Sequence, residues 1–236
     1  MQDLVGVKMR FFGFIAMLGA LFAAPAIAKE KQAPTLAPAA RVTPPPTTDL
    51  ANLWLLDLST GGRVSIWLRP DVAPLMVERV KTLTRQKFYD GLLFHRVIDG
   101  FMAQGGDPKG DGTGGSQLPD LKAEFNYLPH VRGAVAAARA EGNDTANSQF
   151  YMIFQPRLSL DNKYTVFGRV LQGMQYVDAI ERGEPPANPT RILHAYIASD
   201  NPPAYTAAPP APPVGLQAPA TLPGATLPAK KPAPAQ

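Results

Sequence analysis

Proline decides where this chain can fold. Of its 26 prolines, six precede residue 49, nine are spread over residues 49–200, and eleven crowd into residues 201–236. Proline locks φ and removes a backbone donor, so a dense run of it supports neither helix nor ladder. Residues 29–48 combine proline with alanine and hold few large apolar side chains, which reads as a semi-extended linker. Residues 201–236 repeat that composition and end near a Lys230-Lys231 pair, which reads as a disordered, polyproline-like tail. A core can be buried only in 49–200, a span that suits one domain.

Charge follows the same division. Residues 49–200 hold 16 Lys/Arg against 17 Asp/Glu, so the foldable part is near neutral although the whole chain is +4. The excess lies on Lys8, Arg10, Lys29, Lys31, Arg41, Lys230 and Lys231. A basic face for nucleic acid is therefore not expected. With no cysteine there is no disulfide and no thiolate metal site. His95, His130 and His194 have no metal-ligand spacing, so no metal is expected.

Residues 1–28 read as a cleavable secretory signal. Lys8 and Arg10 precede a short apolar run from Phe11 to Ala24, and Ala26-Ile27-Ala28 is a small-x-small cleavage site. The run is short and interrupted by Gly13, Gly19 and Pro25, which argues against a stable membrane anchor. The expected outcome is cleavage after Ala28 and a periplasmic protein.

Within 49–200 the pattern is of short alternating strands between glycine turns. Strands are predicted at Leu53–Leu58, Arg63–Leu68, Leu92–Ile98, Phe101–Gly105, Gly133–Ala138, Phe150–Phe154, Val166–Val170 and Ile192–Ala198. One helix is predicted after Asp71 as cap, with Pro74 in its first turn and Leu75, Met76, Val80 and Leu83 inward. A second is predicted at about 172–181, with Met174, Val177 and Ile180 inward. The expected fold is mainly β, a closed antiparallel eight-stranded barrel with two capping helices.

The stretch Phe94-His95-Arg96 through Phe101-Met102-Ala103-Gln104-Gly105-Gly106-Asp107 carries the chemistry. An arginine, two large apolar side chains and a glutamine lie close along the chain. Together they can hold a proline ring in an apolar pocket while a cation reaches its amide nitrogen. Gln104 lies two residues beyond Met102, so in an extended segment both project to one side. His95 is expected on the opposite strand face from Arg96, with a structural role.

Read as FHRxxxxFMxQGGD, the stretch resembles the cyclophilin-type peptidyl-prolyl cis-trans isomerases. Two further segments are similar to that family. One is Gly133–Arg139 with Ser148-Gln149-Phe150-Tyr151, and the other is Leu158–Gly168. The resemblance covers about residues 50–198 and implies the barrel fold and an isomerase. It implies that Arg96 and Gln104 are catalytic. It implies further that Phe101, Met102, Ala138, Arg139, Gln149, Tyr151, Leu160 and Tyr164 line the substrate groove. Tyr151 stands at a position usually held by phenylalanine, so its hydroxyl needs a partner or solvent. Ser159 stands where cyclosporin-sensitive members carry tryptophan.

The X–Pro bond rotates over a barrier of about 20 kcal/mol without breaking a covalent bond, so no cofactor is expected. Gly110–Gly115 spells G-x-G-x-x-G, but no strand leads straight into it and no helix follows, so it does not read as a dinucleotide site. The partners implied are proline-containing segments of exported proteins, met by a monomer. A different class of function, a proline-binding or chaperone module with little turnover, uses the same residues.

Overall fold

The structure, a computed structural model, describes residues 43–206; the segment expected to be a signal, most of the expected linker and the tail beyond 206 lie outside the described residues. Eight strands form one antiparallel sheet: β1 (Leu53–Leu58), β2 (Gly62–Leu68), β3 (Leu93–Ile98), β4 (Met102–Asp107), β5 (Ala134–Ala137), β6 (Phe150–Ile153), β7 (Val166–Gln172) and β8 (Ile192–Ile197). Their order is β3-β4-β6-β5-β7-β2-β1-β8. Two helices accompany them, α1 (Pro74–Arg85) and α2 (Met174–Asp178).

The sheet curls into a half-barrel, and here the expectation of a closed barrel is corrected. The end strands β3 and β8 share no ladder; they meet through an isolated Leu93–Arg191 bridge and a few backbone bonds at that end, such as Phe94 N–H to Thr190 O at 2.9 Å. Further along, the free edge of β3 is taken by another segment. Val97 and Gly183 exchange both backbone hydrogen bonds, each at 2.8 Å. Once Gly183 occupies that edge, β8 cannot pair along it.

Alternation places the core. On β2, Gly62, Val64, Ile66 and Leu68 are buried while the residues between them are partly exposed. Trp54 on β1 packs edge-on against Tyr89 and Phe150, at ring separations of 5.2 and 5.0 Å. Phe94 and Phe167 complete this aromatic centre, both fully buried. Aromatic pairs of this kind add to the free energy of burying their area.

Helix α1 closes the core with Met76, Val77, Val80 and Leu83. Leu75, expected inward, is 47% exposed. It lies one residue, about 100° of helix rotation, away from the Met76–Val80–Leu83 face. Asp71 is not the cap. The cap position is Ala73, without a side-chain bond, and Asp71 instead pairs with Arg69 at 2.6 and 2.7 Å. The first free N–H groups of α1 go to a residue far along the chain, with Leu75 N and Met76 N donating to the Glu124 carboxylate at 2.9 and 3.0 Å. A carboxylate there also suits the positive end of the helix.

Helix α2 is shorter than the predicted 172–181. It starts after Gly173, whose φ of +86° and closeness to the Arg63 carbonyl leave no room for a side chain. Val177 and Ile180 are buried as expected, and Met174 packs partly against the core.

Replacing Glu124 by alanine removes the only side-chain cap of α1 among the described residues. We expect a loss of about 1 kcal/mol of stability in urea unfolding. An unchanged midpoint would show that the carboxylate contributes nothing to the helix.

Candidate active site

Between two neighbouring pairings, β3 carries a residue that β4 does not match. Phe94 pairs with Gly105 and Arg96 with Gln104, so His95 is an extra, bulged residue. In a regular strand Phe94 and Arg96 would share a face. The bulge breaks that relation. Phe94 and Val97 point into the main core, while Arg96 and Ile98 lie on the outer face of the sheet. His95 itself is buried at the glycine loop, and neither ring nitrogen has a partner among the described residues.

Register then builds the site. Arg96 on β3 faces Gln104 on β4, Gln104 faces Tyr151 on β6, and Tyr151 faces Ala136 on β5. Directly paired residues project to the same face, so these four form one row. The next row holds Ile98, Met102 and Ile153. Met102, Ala136, Ala138, Tyr151 and Val166 form a second apolar cluster on the outer face, with Phe101, Leu160 and Tyr164 packed on it.

A cavity of about 310 Å³ opens on this cluster. Its walls include Arg96, Phe101, Met102, Gln104, Ala138, Arg139, Tyr151, Leu160 and Tyr164. These are all the site residues read from the sequence except Gln149, which is bonded to Gln104 and lines an adjoining polar cavity of about 500 Å³. A third cavity of about 590 Å³ extends past Arg96. Gln104 and Arg139 border all three, so they form one groove.

The polar side chains are held in sequence. Arg96 Nε donates to Glu184 Oε2 at 2.6 Å, and one terminal nitrogen reaches Gln104 Oε1 at 3.4 Å. Gln104 Nε2 donates to Gln149 Oε1 at 2.9 Å. Gln149 Nε2 donates in turn to the carbonyls of Gly112 and Gly114, at 3.0 and 2.8 Å. The glycine loop is tied down from below by Asp107, whose carboxylate accepts from Lys109 N, Asp111 N and Gly112 N. A Cβ at Gly114 would run into the Asp107 carboxylate that holds the loop, so this position needs glycine. The loop serves as a polar wall of the groove.

Arg139 reaches across its own loop. It donates to the carbonyls of Ala140, Glu141 and Lys163 and lies 4.7 Å from the Tyr164 ring centroid. Its side chain therefore braces the groove wall. Ala138 lies at the end of β5, its N–H bonded to Gln149 O at 3.0 Å. Arg157 stands 5.3 Å from the Phe101 ring. Ser159 is exposed.

Tyr151 finds a partner for its hydroxyl. His130 Nε2 lies 3.1 Å from it, and His130 Nδ1 lies 2.8 Å from Asp161 Oδ1. His130 is fully buried. Burial holds its imidazole below the ordinary histidine range, against the pull of Asp161. Burial, with the neighbouring Tyr164, pushes the Tyr151 phenol far above its usual value, so it stays protonated. Burial lowers His95 in the same way, against Asp107 and Asp111.

Glu184, His130 and Asp161 were not among the sequence-read site residues. Glu184 sits 88 positions from Arg96, with no local pattern to join them. His130 and Asp161 left one usable signal, the hydroxyl of Tyr151 that had to be satisfied.

The sequence model of the family described as cyclophilin type peptidyl-prolyl cis-trans isomerase/CLD matches residues 55–197. The chain belongs to this family. It is 44% identical over 168 residues to a probable peptidyl-prolyl cis-trans isomerase of Brucella suis, covering 64% of this chain and 85% of that protein. It is 40% identical over 129 residues to peptidyl-prolyl cis-trans isomerase B of Bacillus subtilis, covering 54% and 89%. Among solved structures it is similar to cyclophilin AquaCyp293 from Hirschia baltica, with a TM-score of 0.61 and 28% identity over 66% of this chain and 77% of that one. A Cryptosporidium parvum cyclophilin type isomerase, solved in the presence of the dipeptide Ala-Pro, shares the fold, with a TM-score of 0.58 and 24% identity over 61% and 98%.

The two buried imidazoles of this cyclophilin set a stability trend. Both stay neutral in the fold at pH values where an unfolded histidine, near 6.5, already takes a proton. The unfolded chain then binds more protons, so stability is full above about pH 6.5 and falls as pH drops toward the lowered folded values. Urea midpoints are expected to decline from about pH 7.5 to about pH 5. A flat profile over that window would contradict two buried neutral histidines.

Proposed function

We propose that this cyclophilin turns X–Pro bonds in proteins exported from the cytoplasm, with the proline ring in the cavity between Phe101, Met102, Tyr151 and Leu160. The observation that carries this reading is the placement of Arg96. Its guanidinium stands at the mouth of an apolar cavity, fixed through Nε to Glu184 and through one terminal nitrogen to Gln104. The other terminal nitrogen makes no hydrogen bond among the described residues.

That arrangement supports the chemistry of rotation. As the amide twists, its nitrogen loses conjugation with the carbonyl, becomes pyramidal and can accept a hydrogen bond. A donor that meets the nitrogen only in that state lowers the barrier without tightening ground-state binding. Guanidinium stays charged at all relevant pH and offers donors in a fixed plane. Gln104 sits beside Arg96 and faces the groove, where it can hold the substrate's carbonyl. No proton leaves either partner, so Arg96 needs no base.

Replacing Arg96 by alanine is expected to lower kcat/KM on a short Ala-Pro peptide about 100-fold while circular dichroism stays unchanged. Near-normal activity in a folded R96A protein would remove Arg96 from the mechanism.

Export rests on residues 1–28, and the periplasm is the compartment this reading favours. A monomer is the state this reading favours. The Pro/Ala segments are spacers with a few basic residues that attract anionic surfaces weakly. Cell fractionation is expected to find the protein in the periplasm with Lys29 as its first residue. Recovery from the cytoplasm with residues 1–28 still attached would overturn the export claim.

A further inference from the structure

The Asp161–His130–Tyr151 chain lies behind the groove, and the steps assigned to Arg96 and Gln104 do not use it. Its geometry fixes its proton arrangement. The Asp161 carboxylate accepts from the backbone N–H of His130 at 2.8 Å and stands 2.8 Å from Nδ1. A carboxylate can only accept, so Nδ1 carries the proton in the neutral ring. Nε2 is then an acceptor, and the Tyr151 O–H donates to it across 3.1 Å. His130 does not line the cavity, whereas Tyr151 does. The hydroxyl therefore points behind the wall, and the ring is what the cavity meets. The Tyr151 and His130 rings stack at 6.1 Å, and Tyr164 stands edge-on to both.

We propose that His130, held by Asp161, is a positioning residue that keeps the Tyr151 hydroxyl out of the proline pocket, so that the pocket weakens when His130 is protonated. The proposal rests on reading this cavity as the proline site. A protonated His130 offers N–H at Nε2, and the Tyr151 O–H loses its acceptor. The Tyr151 oxygen can accept from that N–H, but its own buried O–H proton is left without an acceptor, which is unfavourable, so the side chain shifts toward the cavity and its wall becomes polar. The charged and titratable groups around His130 are Asp161, which favours the proton, with Tyr151 and Tyr164; Arg139 lies over the far ring of Tyr164. Burial of His130 opposes protonation and sets the response on the acid side of neutrality. Arg96 is untouched in this process, so KM should change and kcat should not.

The test uses the full chain and an Ala-Pro peptide, with kcat and KM measured from about pH 8 to about pH 5 and thermal unfolding recorded at each pH. The wild type is expected to raise KM toward acid with kcat nearly constant. Tyr151→Phe should remove the acid rise, because no hydroxyl remains to be released. His95 would still titrate in that variant, so its contribution is separated. His130→Phe should raise KM about tenfold at neutral pH, the cost of orphaning one buried hydroxyl. Adding His130→Phe to Tyr151→Phe should change KM by less than about twofold relative to Tyr151→Phe alone, since no hydroxyl remains to be held. An acid rise in KM that persists in Tyr151→Phe overturns the proposal, as does a rise in KM of about tenfold when His130→Phe is added to Tyr151→Phe. A wild type without isomerase activity would instead overturn the reading of the cavity. If His130→Phe fails to fold, the comparison of wild type with Tyr151→Phe decides alone.

Discussion

His95 enters β3 opposite no partner, and the side chains after it change face. Phe94 has already gone into the aromatic centre with Trp54, Tyr89 and Phe150. Without the bulge, in a regularly alternating strand, Arg96 would follow it inward, and a guanidinium would be buried among aromatic rings at a large desolvation cost. With it, Arg96 stands on the outer face beside Gln104 and Tyr151. The bulge also leaves the His95 ring buried without a hydrogen-bond partner among the described residues. Local loss at His95 and placement of Arg96 are two results of one backbone irregularity.

The strip of sheet made by β4, β6 and β5 works on both faces. Ala103, Val135, Phe150 and Met152 pack inward, and Met102, Ala136, Tyr151 and Ile153 pack outward. Such strands read as nearly continuous apolar runs, as Ala134–Ala137 and Phe150–Ile153 do. A strip buried on both sides has its register strongly fixed, because a one-residue slip would exchange the two faces. The cavity thus sits on a rigid floor, while its polar rim is supplied by loops tied back through Asp107, Gln149 and Arg139.

Much of this was legible in the sequence, for a physical reason. Alternation located all eight strands to within about two residues, since each buries one side of a pleat. The residues of the candidate groove were legible through local strings. Arg96, Phe101, Met102 and Gln104 fall within nine positions on adjacent strands, and all reach one cavity. What stayed hidden was long-range pairing. Nothing near Arg96 announces Glu184, nothing near Pro74 announces Glu124, and the capture of the β3 edge by Gly183 leaves no trace in either strand. The Asp71 expectation failed because a cap-forming side chain had a stronger partner two residues away in Arg69. His95 shows the limit of simple alternation, which cannot count an extra residue.

The central claim is that the proline ring lies on the Met102–Tyr151 floor with the free terminal nitrogen of Arg96 directed at its nitrogen. A crystal structure of the protein soaked with an Ala-Pro peptide tests this most directly. The account requires the ring inside the cavity bounded by Phe101, Met102, Tyr151 and Leu160, with the second terminal nitrogen of Arg96 facing the proline nitrogen and the Glu184 and Gln104 contacts kept. A peptide seated elsewhere on the sheet, or an Arg96 that stays turned away from the bound proline, would contradict it.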